Sequence, residues 1–154
     1  MSLDAAYWDL IWQGQKIHEF RRRFLTGPAT WYVYLTAPES RLAGVIDLDP
    51  PIIDTPQRIA AIAEAVRAGN GTSVYTYLAD LSQGYAMPIR QIREYPAIGI
   101  NDLRRTLGTF HPPQGYTLLG RHPDLAAICR HLTEGPPLRS LAITHPAPAP
   151  TITQ

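Results

Sequence analysis

Residues 30–36 constrain the fold of this chain more than any other segment. They form an uninterrupted run of aromatic, β-branched and aliphatic side chains: Trp31, Tyr32, Val33, Tyr34 and Leu35. Such side chains favour an extended strand over a helix. A second apolar run, residues 42–48, follows a short break that contains Pro38. We therefore expect two consecutive strands, with Gly44 marking a bulge or a point of close backbone approach in the second.

Two further segments have strand character. Residues 16–24 alternate imperfectly between apolar and polar side chains, and residues 84–94 place apolar side chains around Pro88. Because proline cannot donate a ladder hydrogen bond, Pro88 indicates either an edge strand or a bulge. The strands are not separated by regular helices, so no βαβ alternation is present. We therefore predict an α+β domain, with a small, partly open β-barrel surrounded by short helices.

Helical spacing of apolar side chains accounts for most of the remaining chain. We expect Asp4, Thr55 and Asn101 to cap three helices, and Gly14 to end the first of them. The expected helices cover residues 4–12, 56–66, 101–107 and 123–132, and residues 73–81 suit either a helix or a strand.

The domain is expected to end before the end of the chain. A length of 154 residues suits one domain with a full core. After residue 133 the sequence is punctuated by prolines and carries few core-forming side chains. We therefore assign residues 1–133 to the domain and residues 134–154 to an extended Pro-rich tail, with Leu138, Leu141 and Ile143 as the residues that would lie against the domain.

Composition excludes several classes of function. The net charge of +1 is too small for the whole molecule to attract nucleic acid strongly, so any such binding needs a local patch. Cys129 is the single cysteine and the five histidines are scattered, so we expect neither a disulfide nor a metal or other cofactor. No apolar run is long enough for a membrane span, and the N-terminus lacks signal-peptide character, which predicts a cytoplasmic protein without a membrane partner.

The segment of residues 14–21, GQKIHEFR in one-letter code, carries the candidate chemistry. Lys16 is the only lysine of the chain. On a strand, Glu19 and Arg21 share one face, and irregular backbone after Gly14 would turn Lys16 towards them. These three groups could hydrogen-bond the edge of a flat heterocycle, or they could perform acid–base or nucleophilic work. A structural Glu19–Arg21 ion pair with a solvated lysine would explain the same spacing.

The same eight residues resemble the G-x-K-x-x-E-x-R signature of the ASCH domain, in the PUA-like superfamily. The preceding helix is similar to the lead-in helix of that family. The segments of residues 31–38, 42–46 and 84–89 are similar to later strands of the family. The resemblance extends over roughly residues 4–132.

This resemblance implies a PUA-like barrel with a cleft beside the signature. Relatives of this fold, including PUA, EVE and YTH domains, bind RNA or DNA, and several read a modified base in an aromatic-lined pocket. Some ASCH proteins are amidohydrolases that act on acylated cytidine, and ribonuclease activity has been proposed for others. The hydrolases use a lysine and a threonine three residues later; here Lys16 matches, Glu19 replaces the threonine, and Thr36 is an alternative hydroxyl.

Our leading hypothesis is a nucleic-acid-binding module, for RNA or DNA, that accepts one flipped-out, modified base beside the signature. The expected base-binding residues are Trp12, Lys16, Glu19, Arg21, Trp31, Tyr34 and Thr36, and the expected phosphate-binding residues are Arg22, Arg23 and Arg41. The alternative is an enzyme, either an amidohydrolase for N4-acylated cytidine-type nucleosides, using Lys16, Glu19 and Thr36, or a ribonuclease. A protein-interaction domain that uses the Pro-rich tail is a third possibility.

Overall fold

The computed structural model describes residues 1–146, so residues 147–154 of the predicted tail lie outside the described part. Seven strands form one mixed sheet. They are β1 (Ser2–Leu3), β2 (His18–Arg21), β3 (Ala29–Leu35), β4 (Arg41–Leu48), β5 (Ile52–Asp54), β6 (Gly84–Gly99) and β7 (Arg139–Ala142). The helices are α1 (Ala5–Trp12), α2 (Pro56–Val66), α3 (Asn70–Leu78), α4 (Ile100–Leu107) and α5 (Pro123–Leu132), with a short 3-10 turn at Leu119–Arg121.

The long strand β6 organises the sheet. Its first half pairs antiparallel with β2 and β5, and its second half pairs antiparallel with β4 and β7. Strand β3 pairs antiparallel with β4 on one side and parallel with β1 on the other. The sheet curls into a half-barrel with helices packed around it. The predicted α+β class and partly open barrel are therefore confirmed.

The expectation that Pro88 lies on an edge strand is wrong, because β6 has partners on both sides. Pro88 faces His18 of β2, and its carbonyl oxygen accepts a hydrogen bond from Asp49 N at 2.9 Å. The β4–β6 ladder shifts register between Asp47 and Leu48, next to this position. The alternative prediction of a bulge is therefore correct, since the irregular ladder accommodates a residue without an N–H donor.

Two of the three helix caps predicted from the sequence are present. The Asp4 side chain accepts from Ala6 N at 2.8 Å, and the Thr55 hydroxyl accepts from Arg58 N at 3.4 Å. Asn101 is not a cap, because β6 continues to Gly99 and α4 begins at Ile100. Gly99 is therefore the N-cap residue, and Asn101 lies inside the first turn of α4. The segment that suited either a helix or a strand is helix α3.

Three apolar clusters fill the structure. The largest lies between the sheet and α1, where Trp8 and Ile11 pack with Val33, Ile46 and Ile92. A second cluster joins the sheet to α4 and α5, so β4 is buried along almost its whole length. The third cluster holds the α2–α3 pair against the beginning of β6 and includes the partly buried side chain of Phe20 from β2. A recess forms where this helix pair meets β2.

The predicted tail contributes a strand to the sheet. β7 pairs with β6, with Ile92 facing Leu141. Leu141 and Ile143 pack against the largest cluster, whereas Leu138 is 64% exposed. The ordered sheet thus continues beyond the predicted domain boundary at residue 133. No helix within residues 1–146 has both the length and the apolar character needed to cross a membrane.

Candidate functional site

The end of α1 places Lys16. Gly14 adopts the left-handed conformation with φ of 74°, as expected for the residue after a helix. The backbone N–H groups of Gln15 and Lys16 both donate to the carbonyl oxygen of Leu10, at 2.9 and 3.2 Å. These bonds hold Lys16 against the helix end, immediately before β2 begins at His18.

Glu19 lies between two cations. Lys16 Nζ is 3.4 Å from Glu19 Oε2 and donates to the carbonyl oxygen of His18 at 2.8 Å. Arg21 Nε is 3.1 Å from Glu19 Oε1. The Glu19 side chain is only 9% exposed. The structure therefore brings the lysine, carboxylate and guanidinium of the signature together, as the alternation of a strand predicts for Glu19 and Arg21.

Two polar atoms of this trio are buried and make no hydrogen bond with any described residue: Glu19 Oε2 and Arg21 Nε. The approach of Arg21 Nε to Glu19 is close enough for an ion pair but is not aligned as a hydrogen bond. Buried polar atoms in native proteins nearly always have a partner. These atoms are therefore candidates for contact with a polar ligand.

The trio lines a recess of about 370 Å³, which is within the usual range for small-molecule sites. We refer to it as the signature recess. Three parts of the chain build it: β2 with Lys16 before it, the N-terminal residues, and the α2–α3 pair. Its lining consists of Ser2, Leu3, Asp4, Tyr7, Lys16, Glu19, Phe20, Arg21, Arg67, Asn70, Ser73, Val74 and Tyr77.

Three aromatic side chains line the signature recess. Lys16 Nζ lies 5.4 Å from the ring centroid of Phe20 and 5.6 Å from that of Tyr7, within range of cation–π attraction. Tyr7 and Tyr77 are 49% and 43% exposed. The recess thus has aromatic residues in its lining, although none of them was expected there from the sequence.

Two of the aromatic residues expected at the base lie elsewhere. Trp31 is buried, and its indole N–H donates to the carbonyl oxygen of Met1 at 2.8 Å. Tyr34 is buried and packs against Phe110, with ring centroids 5.4 Å apart. Both line a separate, largely apolar cavity of about 180 Å³ together with Cys129. Burial raises the pKa of the Cys129 thiol to about 11, so the thiolate is disfavoured.

Trp12 and Thr36, also expected at the base, do not line the signature recess. The Trp12 ring packs edge-on against Trp8, with centroids 5.9 Å apart, and the Arg139 guanidinium stacks on it at 4.0 Å. Of the seven residues expected to bind the base, Lys16, Glu19 and Arg21 therefore line the recess. The rest were chosen by residue type, which does not reveal whether an aromatic side chain faces the core.

The arginines expected at phosphate do not line the signature recess either. Arg22 makes a bidentate pair with Asp80, with both distances 2.7 Å, and donates to the carbonyl oxygen of Tyr77. Arg41 pairs with Glu39 at 3.2 Å, and Arg23 is exposed. An arginine that the sequence did not suggest, Arg67, does line the recess.

His18 is buried and does not line the signature recess. Its ring lies 5.0 Å from that of His145 and 5.9 Å from that of Phe20. Burial, together with the smaller effects of His145 and Lys16, lowers the pKa of His18 to about 4. The side chain is 8% exposed, so His18 is neutral in the folded protein at neutral pH.

This burial predicts a loss of stability in mild acid. The unfolded chain binds a proton at His18 near pH 6.5, whereas the folded chain does so only near pH 4. Between these values the unfolded state binds more protons, so the free energy of unfolding falls as the pH is lowered. Between pH 7 and pH 4.5, the free energy of unfolding measured with urea should fall by about 2 kcal/mol more in wild type than in His18→Gln. An equal fall in the two proteins would contradict the conclusion that His18 is buried in its neutral form.

Together these features define a class: an α+β half-barrel whose second strand lines a polar recess. No protein-family model matches the chain, and no curated protein matches it. Solved structures, however, match the chain. The chain is similar to the crystal structure of ASCH from Zymomonas mobilis, with a TM-score of 0.65 and 20% identity over 83% of this chain and 92% of that chain.

Two single-residue variants of the Zymomonas mobilis protein give the same result. Each has a TM-score of 0.66. The first is 21% identical over 84% of this chain and 94% of the other. The second is 20% identical over 83% of this chain and 93% of the other. This chain therefore has the ASCH fold, as the resemblance of its signature implied. At this level of identity the similarity establishes the fold and not the activity.

Proposed function

We propose that the protein binds nucleic acid by accepting a single base into the signature recess. The observation that carries this proposal is the carboxylate of Glu19, a residue that lines the recess: its Oε2 atom is buried, lies 3.4 Å from Lys16 Nζ and makes no hydrogen bond with residues 1–146. Lys16 and Arg21 stand on either side of the same carboxylate. The recess therefore presents an acceptor flanked by donors.

This arrangement suits the edge of a nucleobase. The Glu19 carboxylate would accept from an exocyclic amine, while Lys16 or Arg21 would donate to a carbonyl oxygen or ring nitrogen. In a duplex that edge is already paired, so the base would be flipped out or taken from a single strand. A hydrophobic group or an alcohol could not satisfy the acceptor and both donors at once.

The walls support the same proposal. The rings of Tyr7, Phe20 and Tyr77 line the recess and provide faces for base stacking, which contributes about 1–3 kcal/mol per base. Val74 and Leu3 add apolar surface where a methyl or acetyl group of a modified base would fit. We therefore include a modified base in the proposal.

Binding should depend on the recess rather than on general charge attraction. The net charge is +1, and Arg22 and Arg41 are already paired with carboxylates. Non-specific affinity for nucleic acid is set largely by free cationic side chains on the surface. Nucleic acid as the partner also agrees with the cytoplasmic location expected from the sequence.

Glu19→Ala tests the proposal. Wild type should discriminate between single-stranded oligonucleotides that carry modified and unmodified bases, and the variant should lose that discrimination because it lacks the acceptor. The preference lost should be about tenfold or more, as expected for one charged hydrogen bond. Gel-shift titrations measure it, with RNA and DNA versions of each oligonucleotide.

Glu39→Ala is the matched control. Glu39 is an exposed carboxylate paired with Arg41, and it does not line the recess. Its removal should leave discrimination unchanged. If Glu19→Ala discriminates as well as wild type does, the proposed base contact is wrong.

Hydrolysis of an N4-acylated cytidine-type nucleoside is the second candidate, because Lys16 Nζ and the Glu19 carboxylate lie 3.4 Å apart. Thr36 lies outside the recess, so the hydroxyl suggested by the sequence is not in place, although Ser73 lines the recess. Turnover of N4-acetylcytidine that disappears in Lys16→Ala would establish this activity. Cleaved oligonucleotide in the gel-shift assays would instead reveal a ribonuclease.

A further inference from the structure

Arg67 differs from the other arginines of residues 1–146. It is partly buried, its Nε atom is buried without a hydrogen bond to these residues, and no carboxylate among residues 1–146 forms an ion pair with it. Most other arginines in this part of the chain pair with a carboxylate: Arg21, Arg22, Arg41, Arg58, Arg90, Arg93, Arg105 and Arg139. Those without such a pair are exposed: Arg23, Arg104, Arg121 and Arg130.

The backbone around Arg67 is held in place by local bonds. Asn70 N donates to the carbonyl oxygen of Arg67 at 3.1 Å. The Glu64 carboxylate accepts from Gly69 N at 3.0 Å and from Gly71 N at 2.9 Å, and these bonds hold the pKa of Glu64 below its usual value. The turn between α2 and α3 is therefore preorganised, and it carries Arg67 to the edge of the signature recess.

The surroundings of Arg67 favour an anion. The recess contains three cationic side chains and the carboxylates of Asp4 and Glu19. Glu19 is shared by Lys16 and Arg21, and Asp4 accepts from Ala6 N at 2.8 Å and forms no ion pair with the arginines of residues 1–146. The polar residues that α3 contributes to the lining, Asn70, Ser73 and Tyr77, are uncharged at neutral pH. A partly buried guanidinium without a counter-charge binds phosphate oxygens well, because its N–H groups form a planar fork.

We propose that Arg67 binds a phosphate group of the ligand, so that the recess recognises a nucleotide rather than a free base or nucleoside. This inference rests on the proposed function and adds the ligand class to it. Lys16, Glu19 and Arg21 read the base edge, and Arg67, with the side chains of Asn70 and Ser73, holds the phosphate.

The test compares the four ribonucleosides with their 5′-monophosphates by isothermal titration calorimetry. Wild type should bind at least one monophosphate about tenfold or more tightly than the corresponding nucleoside. Arg67→Gln should lose this preference while keeping its selection among bases, and Arg67→Lys should recover part of the preference. Circular dichroism checks that each variant is folded.

Arg58→Gln is the control, at the start of α2, the helix that precedes the turn carrying Arg67. Arg58 is 77% exposed and pairs with Asp54, so its removal should leave the phosphate preference intact. Equal affinity of wild type for nucleosides and monophosphates, or a preference that survives in Arg67→Gln, would overturn the inference while leaving the base site standing. Loss of the preference in Arg67→Gln, with unchanged base selection in Glu19→Ala, would support the phosphate contact and overturn the base contact. Absence of binding to all eight compounds would overturn the phosphate inference, while the gel-shift titrations with modified oligonucleotides test the base contact separately.

Discussion

Alanine in place of Gly44 is expected to lower the free energy of unfolding by about 3 kcal/mol or more. A Cβ atom at Gly44 would overlap the carbonyl oxygen of Arg93 in β6 and would lie 2.9 Å from Cη2 of Trp8. The first is a backbone atom of the paired strand, and the second belongs to an indole that is only 2% exposed. Neither can move aside without disturbing the β4–β6 ladder or the largest apolar cluster.

The ladders around Gly44 show the same crowding. The β4–β6 register shifts between Leu42 and Gly44, and the β3–β4 register shifts between Val33 and Tyr34. The close approach that the sequence suggested for this glycine is therefore present. Urea unfolding followed by tryptophan fluorescence measures the loss of stability.

Gly27→Ala is the control for this substitution. Gly27 is exposed, and a Cβ atom there would meet nothing within 4 Å. Its effect should stay within about 0.5 kcal/mol, as for ordinary surface substitutions. Similar stability of the Gly44 and Gly27 variants would show that β4 and β6 do not approach as described.

Arg21→Glu is expected to have the second largest effect, on both stability and binding. It would place a second carboxylate beside the nearly buried Glu19, 3.1 Å from the present Arg21 Nε, and would remove one of the two cations that neutralise Glu19. Breaking a buried ion pair costs about 3–5 kcal/mol, and the 21% exposure of Arg21 reduces this to about 2 kcal/mol.

Binding of nucleic acid should fall below detection in the same variant, because the acceptor and donor pattern of the recess is replaced by two adjacent negative charges. Arg23→Glu makes the same charge change at an exposed position beyond the end of β2. It should reduce affinity only slightly and leave the unfolding midpoint nearly unchanged. Equal effects of the two reversals on binding and unfolding would mean that Arg21 has no special role.

The central sheet was predictable because its strands carry strong local signals. Predicted strands at residues 30–36 and 42–48 correspond to Ala29–Leu35 and Arg41–Leu48. Both are rich in residues that pack well on a pleated surface, and tertiary contacts reinforce that preference. The meeting of Glu19 and Arg21 was predictable for a similar reason, since residues two apart on a strand share a face.

The walls of the recess were not predictable from local pattern. Alternation assigns side chains to two faces, but it does not reveal which face packs against the core. Trp31 and Val33 share a face of β3, and both are buried in the largest cluster. Tyr7, Tyr77 and Arg67 reach the recess from the N-terminal and α2–α3 regions, and no spacing rule connects them with residues 14–21.

The strand β7 was missed because its sequence signal is weak. Prolines precede it at 136 and 137, and the strand has only four residues, most of them exposed. Its residues have little preference of their own for extended structure, and pairing with the second half of β6 stabilises the strand. A short strand of this kind depends on the edge it joins, which only the folded structure reveals.

The most direct test of the central claim is a ¹⁵N-HSQC titration of the protein with single-stranded RNA and DNA oligonucleotides containing N4-acetylcytidine or cytidine. The signature recess should produce one contiguous set of shifted amides, in residues 16–21, 67–77 and around Tyr7. Shifts confined to the separate cavity beside Trp31 and Tyr34, or no shifts at millimolar oligonucleotide, would contradict the claim that this recess receives a base.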